Sequence, residues 1–250
     1  MIASASRAIC NSRKFSIRSS KSSGGRFFSD PADVPGHGEY GFLMTFDDFR
    51  DLISAHTNPV VLLEGRREIP ESIVPAARRF AFLLSTSFPS MRFRSGNAPG
   101  TDAAFASGIN DHDSNRLELF LPHVGHRKAV AGPRTLSVGS LTPESRVVVA
   151  ESAVKASPRN RGLFDSKVPR LRAKGNYLLR DTLKVTGYGS AFPPPVAGFF
   201  YADPDDPMAG GTGHTIRVCR NHGVPVILQQ DWLGWIPDLE SGKKPGPPKK

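Results

Sequence analysis

The sequence predicts an α/β fold: a Rossmann-like, doubly wound, mainly parallel sheet with helices on both faces, in a single domain. Three observations predict it. Apolar runs at residues 60–63 (VVLL), 196–201 (VAGFFY) and 225–228 (PVIL) alternate with segments of helical periodicity, the pattern of βα units that build parallel sheets. The first of those runs is apolar without a break, as strands covered on both faces are. Two glycine-rich turns, Arg94-Ser95-Gly96-Asn97-Ala98-Pro99-Gly100-Thr101-Asp102 and Gly210-Gly211-Thr212-Gly213, each fall between an expected strand and an expected helix, where such folds cradle anions on free backbone N–H groups.

Taken in order, residues 45–56 form an amphipathic helix with Phe46, Phe49, Leu52 and Ile53 on one side, Thr45 as N-cap and Asp47 and Asp48 in the first turn, which suits the helix dipole. The strand at 60–63 ends in Glu64-Gly65-Arg66-Arg67, a strand-to-helix turn with two guanidinium groups. A long helix follows over 69–88, its start confined by Pro70 and Pro75. Residues 91–94 are the second strand and 101–109 the helix after the organising turn. Residues 117–121 (LELFL) alternate as a third strand. The glycine-punctuated stretch 123–141 is expected to be a loop. Thr142-Pro143-Glu144 is a helix entry, and its cap chemistry outweighs the β-branched run at 147–149, so 143–156 is expected to be helical. Ser157-Pro158 ends that helix. Another spans 171–185, interrupted or begun at Gly175. Asp203-Pro204-Asp205-Asp206-Pro207 is a rigid turn, the second glycine turn opens a helix over 215–221, and 225–228 is the last strand.

The chain has 250 residues, 38% hydrophobic and 22% charged, enough for one domain with a full core. No apolar run has the roughly 18–20 residues of a membrane helix. The two cysteines, Cys10 and Cys219, show neither metal-site spacing nor a pairing that suits a disulfide, which gives an intracellular, cytoplasmic expectation. The net charge of +10 is concentrated in the ends: residues 1–29 hold six cations and no acid, residues 240–250 hold four lysines against Glu240, and residues 30–239 lie within one charge of neutral. A broad nucleic-acid face on the core is therefore not expected, although the basic ends could graze a polyanion. Residues 1–43 admit three readings: a disordered extension, a mitochondrial presequence with a processing site near Arg26-Phe27-Phe28-Ser29 (and then a matrix location), or a leader upstream of a true start at Met44. Residues 44–238 form the folded domain and 239–250 a basic disordered tail.

The order of motifs carries a resemblance. Arg94-Ser95-Gly96-x-Ala98-x-Gly100-x-Asp102, then an LPH-type strand end at Leu121-Pro122-His123, then Arg180-Asp181, then Gly210-Gly211-Thr212-Gly213 and Gly223-Val224-Pro225-Val226 resemble the superfamily that unites DNA-processing protein A and Lonely-Guy proteins (SLOG), closest to its phage and bacterial stand-alone members. The resemblance covers roughly residues 60–230. It implies a Rossmann-like fold that binds nucleotides or nucleotide derivatives, and it admits pairing of two copies. Lonely-Guy phosphoribohydrolases carry a glutamate that assists cleavage of the N-glycosidic bond. Here Arg217 stands at that position and His214 at the threonine position of the same motif. A cation there opposes a developing oxocarbenium ion.

The expected ligand is thus a small nucleotide or an ADP-ribose- or NAD-like derivative, held by both turns. Gly65, Gly96, Gly100, Gly210, Gly211 and Gly213 would admit a phosphate close to the backbone. Ser95, Thr101 and Thr212 would donate hydroxyls. Arg66 and Arg94 would grip phosphate bidentately, with Arg180 and Lys184 reaching the same pocket. Asp102 would cap its turn or hold a ribose hydroxyl, and His214 would donate to the ligand. No metal is expected: His123 and His126 have H-x-x-H spacing without further ligands, and Asp203, Asp205 and Asp206 belong to a proline-bounded turn. Trp232 and Trp235 are expected to cap the core. Three functions remain open: a binding or sensor protein; an enzyme cleaving an N-glycosidic or phosphoester bond with Asp102 or Glu64 as acid/base; and a DNA-handling protein using its basic ends.

Overall fold

A computed structural model describes residues 44–127 and 134–242. Among these, six strands form one sheet: β1 (Val60–Gly65), β2 (Arg92–Ser95), β3 (Leu117–Leu121), β4 (Arg134–Ser137), β5 (Ala197–Tyr201) and β6 (Val226–Leu228). Their order is β4-β3-β2-β1-β5-β6 and every pairing is parallel. The chain winds outward from β1 to β4, then returns to the other side of β1 for β5 and β6. The direction reverses between β1 and β5, so the crevice beyond their carboxyl ends is the switch point where α/β sheets bind ligands.

The helices are α1 (Phe46–Ser54), α2 (Ile73–Ser87), α3 (Thr101–Asn110), α4 (Pro143–Ala156), α5 (Arg161–Phe164), α6 (Pro169–Thr186), α7 (Gly210–Asn221), α8 (Gln229–Trp232) and α9 (Ile236–Glu240). Two of them start as the sequence dictates. Thr45 accepts from the Asp48 amide while the Asp48 carboxylate reaches back to the Thr45 amide at 3.1 Å, a reciprocal capping box. Thr142 accepts from the Ser145 amide, with Pro143 at the first helical position.

One face of the sheet packs on α1, α2, α3, α8 and α9 through an apolar, aromatic core. Trp232 is fully buried there, within 5.0 Å of Phe80 and 5.5 Å of Phe105 by ring centroids, and its indole N–H donates to the Phe200 carbonyl at 3.0 Å. The opposite face packs on α4, α6 and α7. That second interface is not purely apolar. Arg94, Glu118 and Glu64 project from the sheet and Arg180, Asp181 and Lys184 from α6, all buried.

The structure departs from the sequence expectations at several places. The stretch expected as a loop contains β4, an edge strand of four residues paired only to β3; Leu136 alone makes a buried apolar contact in it, too weak a pattern to read. Gly175 neither starts nor breaks α6. It lies mid-helix because α5 crosses there: a Cβ at this position would stand 2.6 Å from the Leu163 carbonyl oxygen. Helix α7 begins five residues earlier than expected, so the second glycine motif is its first turn rather than a loop before it. The chain end also differs: α9 carries buried Leu239, and Glu240 pairs with Arg79 at 3.0 Å, so the fold continues past residue 238. The readings of residues 1–43 and of the final lysines lie outside the described residues. No described helix is long and apolar enough to cross a membrane.

Candidate functional site

A cavity of about 970 Å³ lies at the carboxyl ends of β1 and β5. Its floor is Glu64 and Gly65 from β1, Asp102 from α3, and Arg180 and Asp181 from α6; its walls are the segment after β1, the start of α7, and the turns leading into α6. The two glycine motifs do meet at one rim, since Ala98 and Gly210, Gly211 and Thr212 all border this cavity. They play different parts.

The first turn is closed by its own carboxylate. Asp102, 1% exposed, accepts from the Gly65 amide at 3.2 Å, the Gly96 amide at 3.0 Å and the Ala98 amide at 3.4 Å. The amides expected to face a phosphate are therefore occupied, and Asp102 binds the turn as an internal anion. Thr101 is equally committed: its amide and hydroxyl both donate to the Arg66 carbonyl at 3.0 Å. Gly100 has φ +79, and a Cβ there would collide with the Arg67 carbonyl, so this position needs glycine twice over. The Ser95 hydroxyl is buried without a partner among the described residues.

The second turn is open. Helix α7 is preceded by Ala209, which supplies no side-chain cap, and its first turn contains no acid. The amides of its first turn lack intrahelical partners by construction, and they carry the positive end of the dipole. Gly210 and Gly211 are exposed at the cavity mouth and Thr212 is half-buried. Gly213 is not a ligand position: it is buried against the Met208 backbone, which a Cβ would strike.

Beneath the rim is a buried charge network. The Lys184 ammonium, fully buried, donates to Glu64 Oε2 at 2.6 Å and stands 3.0 Å from Asp181 Oδ1. Glu64 Oε1 accepts from the Thr215 hydroxyl at 2.9 Å. Arg180 stands 2.9 Å from Asp181 and donates through Nη1 to the Gly96 carbonyl. The Arg180 Nε and Asp181 Oδ1 are close but misaligned, so neither buried atom has a hydrogen bond among the described residues. Burial pushes the Glu64 carboxyl up to about 7, the Lys184 charge only partly opposing it, with Asp181 and Asp102 adding to the rise. Burial also works against ionised Asp181, but Arg180 and Lys184 outweigh it and hold this carboxyl below its ordinary value. Two neighbouring carboxyls are thus driven apart.

Two residues expected at the ligand belong elsewhere. Arg94 is fully buried under α6, donating to Glu118 at 2.9 and 2.7 Å, to the Lys184 carbonyl at 2.9 Å and to the Pro193 carbonyl at 2.8 Å. It ties sheet, helix and the loop before β5 together and does not border the cavity. His214 is fully buried as well, its Nε2 2.9 Å from the Thr182 hydroxyl and its Nδ1 3.3 Å from the Ser157 hydroxyl. Burial pushes its pKa down to about 4, so it is a neutral bridge between α6 and α7. Arg66 does border the cavity, and pairs there with Asp203 at 3.3 Å. His123 and His126 sit 3.3 Å apart on the surface. Among the described residues, no group of three or more His, Cys, Asp or Glu side chains is arranged to hold a metal ion.

The cavity also has a cationic wall that sequence reasoning missed. Arg159, Arg170, Lys174 and Arg217 border it, and none forms an ion pair among the described residues. Arg67 leans on the Tyr177 ring at 5.3 Å. The available signal was local density: residues 158–174 carry six cations and one acid, hidden when charge is averaged over the whole body.

The site and fold define an α/β protein with a cavity at the switch point of its parallel sheet. No family model, no curated protein and no solved structure matches this chain.

Proposed function

We propose that this protein binds a nucleotide or nucleotide derivative, of the ADP-ribose or NAD kind, in the cavity beyond β1 and β5, and serves as a sensor or regulatory protein. One observation carries the reading: the uncapped, acid-free start of α7 opens into a cavity bordered by Arg159, Arg170, Lys174 and Arg217, none of them in an ion pair among the described residues. The cavity volume of about 970 Å³ suits a small-molecule site. Leu163, Ala173, Tyr177 and Leu178 supply apolar surface for a base or sugar. The resemblance to the SLOG superfamily points the same way, and Arg217 on the cavity wall, at the position of the Lonely-Guy glutamate, speaks for holding a phosphate rather than for stabilising an oxocarbenium ion. The test is a thermal shift against a panel of nucleotides, NAD and ADP-ribose. A ligand at 100 times its Kd adds about 2.7 kcal/mol, and a panel with no shift at millimolar concentration rejects the reading.

A second reading, hydrolysis of an N-glycosidic bond, is favoured by one observation: Glu64 borders the cavity with its carboxyl raised to about 7, where it could exchange a proton. Incubating the protein with nucleoside monophosphates and NAD and looking for free base decides it; no product at high enzyme concentration ends it for those substrates.

A further inference from the structure

The cavity faces not one helix start but two. Helix α6 begins at its edge with Pro169 and Arg170, and Val168 before it provides no side-chain cap. Arg170, Lys174, Tyr177 and Asp181 recur every three or four residues, so they share one face of α6, and all four border the cavity. The outer two are exposed cations with no acidic partner among the described residues. The inner end of the same face is the charge network, where buried Arg180 is held by its ion pair with Asp181 at 2.9 Å and by the Gly96 carbonyl. The cations near α7 form a separate group. Arg217 donates to the Ser157 hydroxyl and the Met208 carbonyl, which fixes it beside the start of α7. Burial lowers its pKa and the nearby Arg159 charge lowers it further, with Asp206 only partly opposing them. Both guanidinium groups border the cavity and neither is in an ion pair among the described residues, so an anion between them would stabilise both.

We infer that the ligand is a small nucleotide bearing two separate phosphate groups, one on the start of α7 with Arg159 and Arg217, the other on the Arg170 and Lys174 face at the start of α6. The inference rests on the nucleotide reading above and adds a second anion subsite to it. Leu163, Ala173 and Tyr177 border the same space and offer apolar cover for the nucleoside that joins the two phosphates.

The experiment is isothermal titration of the full chain, at one fixed salt concentration, with the 5′-monophosphates of four nucleosides and the matching 3′,5′-bisphosphates. A second phosphate meeting two cations is expected to tighten binding about tenfold or more for at least one nucleoside. The double variant Arg170→Ala/Lys174→Ala, at two exposed positions, should erase that gain, weakening the bisphosphate about tenfold more than the monophosphate. Equal Kd values for mono- and bisphosphates in the wild type overturn the second subsite while leaving the nucleotide reading intact. So does a double variant that weakens both ligands alike. A single-stranded decamer binding more tightly than every bisphosphate overturns the inference in favour of a polymer. If no nucleotide binds at all, the nucleotide reading itself has failed and the second subsite goes with it.

Discussion

Replacing Glu64 with Gln should make the protein lose stability in mild acid faster than the wild type does. The Glu64 carboxyl keeps its proton in the fold up to about 7, against an ordinary value of 4.5. The folded state then holds a proton that the unfolded chain has released, so this contribution is fully present below pH 4.5 and is lost as pH rises through 7. His214 does the reverse. It stays neutral in the fold down to about 4, against 6.5, so its contribution is present above pH 6.5 and is lost as pH falls through 4. Both side chains are nearly or fully buried, at 4% and 0% exposure, so solvent screening removes little of either effect. Each is worth about 1.4 kcal/mol per pH unit where it acts alone. Between pH 4.5 and 6.5 they oppose each other and nearly cancel. In Glu64→Gln the amide oxygen still accepts from Thr215, and Lys184 keeps Asp181 as its counter-charge, but the proton uptake is gone. The variant should therefore lose about 2–3 kcal/mol more than the wild type between pH 6.5 and 4.5. Urea unfolding at half-unit pH steps measures this, and groups common to both proteins drop out of the difference. Parallel profiles would refute the assignment of a raised pKa to Glu64.

Two further substitutions test the architecture around the site. Arg94→Met removes a fully buried guanidinium and strands Glu118 with its more exposed partners Arg92 and Arg134; the expected cost is about 3–5 kcal/mol, read as a lower urea midpoint, and a loss below about 1 kcal/mol would show that the pair does not hold α6 down. Thr212→Asp places a carboxylate in the acid-free first turn of α7; it should raise stability by about 0.3–1 kcal/mol while abolishing every phosphate-dependent thermal shift, and a shift that persists would move the anion away from this helix.

Most of the sheet was legible because buried parallel strands leave a one-dimensional mark. The runs at β1, β5 and β6 are apolar on successive residues, and α4 was announced by Thr142, Pro143 and Glu144. What was not legible depends on partners far apart in sequence. Leu117-Glu118-Leu119 alternates, and in isolation the alternation says only that Glu118 faces away from Leu117. That it faces a buried Arg94, rather than water, is decided by α6 lying over both. Lys184 is expected at the ligand from its spacing to Arg180, and nothing near it in sequence demands burial; its partner Glu64 is supplied by the first strand. His214 looked like a ligand donor because it follows the glycines, but by then the helix has turned and the side chain points to Thr182 on α6. Tertiary context sets the role of each of these residues, and local pattern cannot carry it.

The two glycine turns resemble each other in composition and differ in one respect that decides their chemistry. Both open a helix, and both present amides that need an acceptor. The first carries Asp102 in its opening turn, and that carboxylate takes the Gly65, Gly96 and Ala98 amides. The second has no acid in its opening turn. A strand-to-helix turn that contains its own acceptor is a structural clamp; the α7 turn has none, and the nearest internal carboxylate is Asp181, whose Oδ2 would stand 3.2 Å from a Cβ at Gly211. The same logic makes Asp102→Ala informative. Three charge-assisted hydrogen bonds at about 1.5–3 kcal/mol each bound the loss from above, and the real cost is reduced if an anion from solution enters the vacated place. The variant should therefore be less stable than the wild type in chloride and recover part of the difference in added sulfate or phosphate. Sulfate strengthens burial in any protein, so the recovery is measured against the wild type in the same salt, and against Thr212→Asp combined with Asp102→Ala, in which the α7 start is already filled. A recovery that survives in the combined variant locates the new anion at the first turn. No recovery beyond the wild-type salt effect would mean that Asp102 acts through its own packing, and that the first turn was never an anion cradle in waiting.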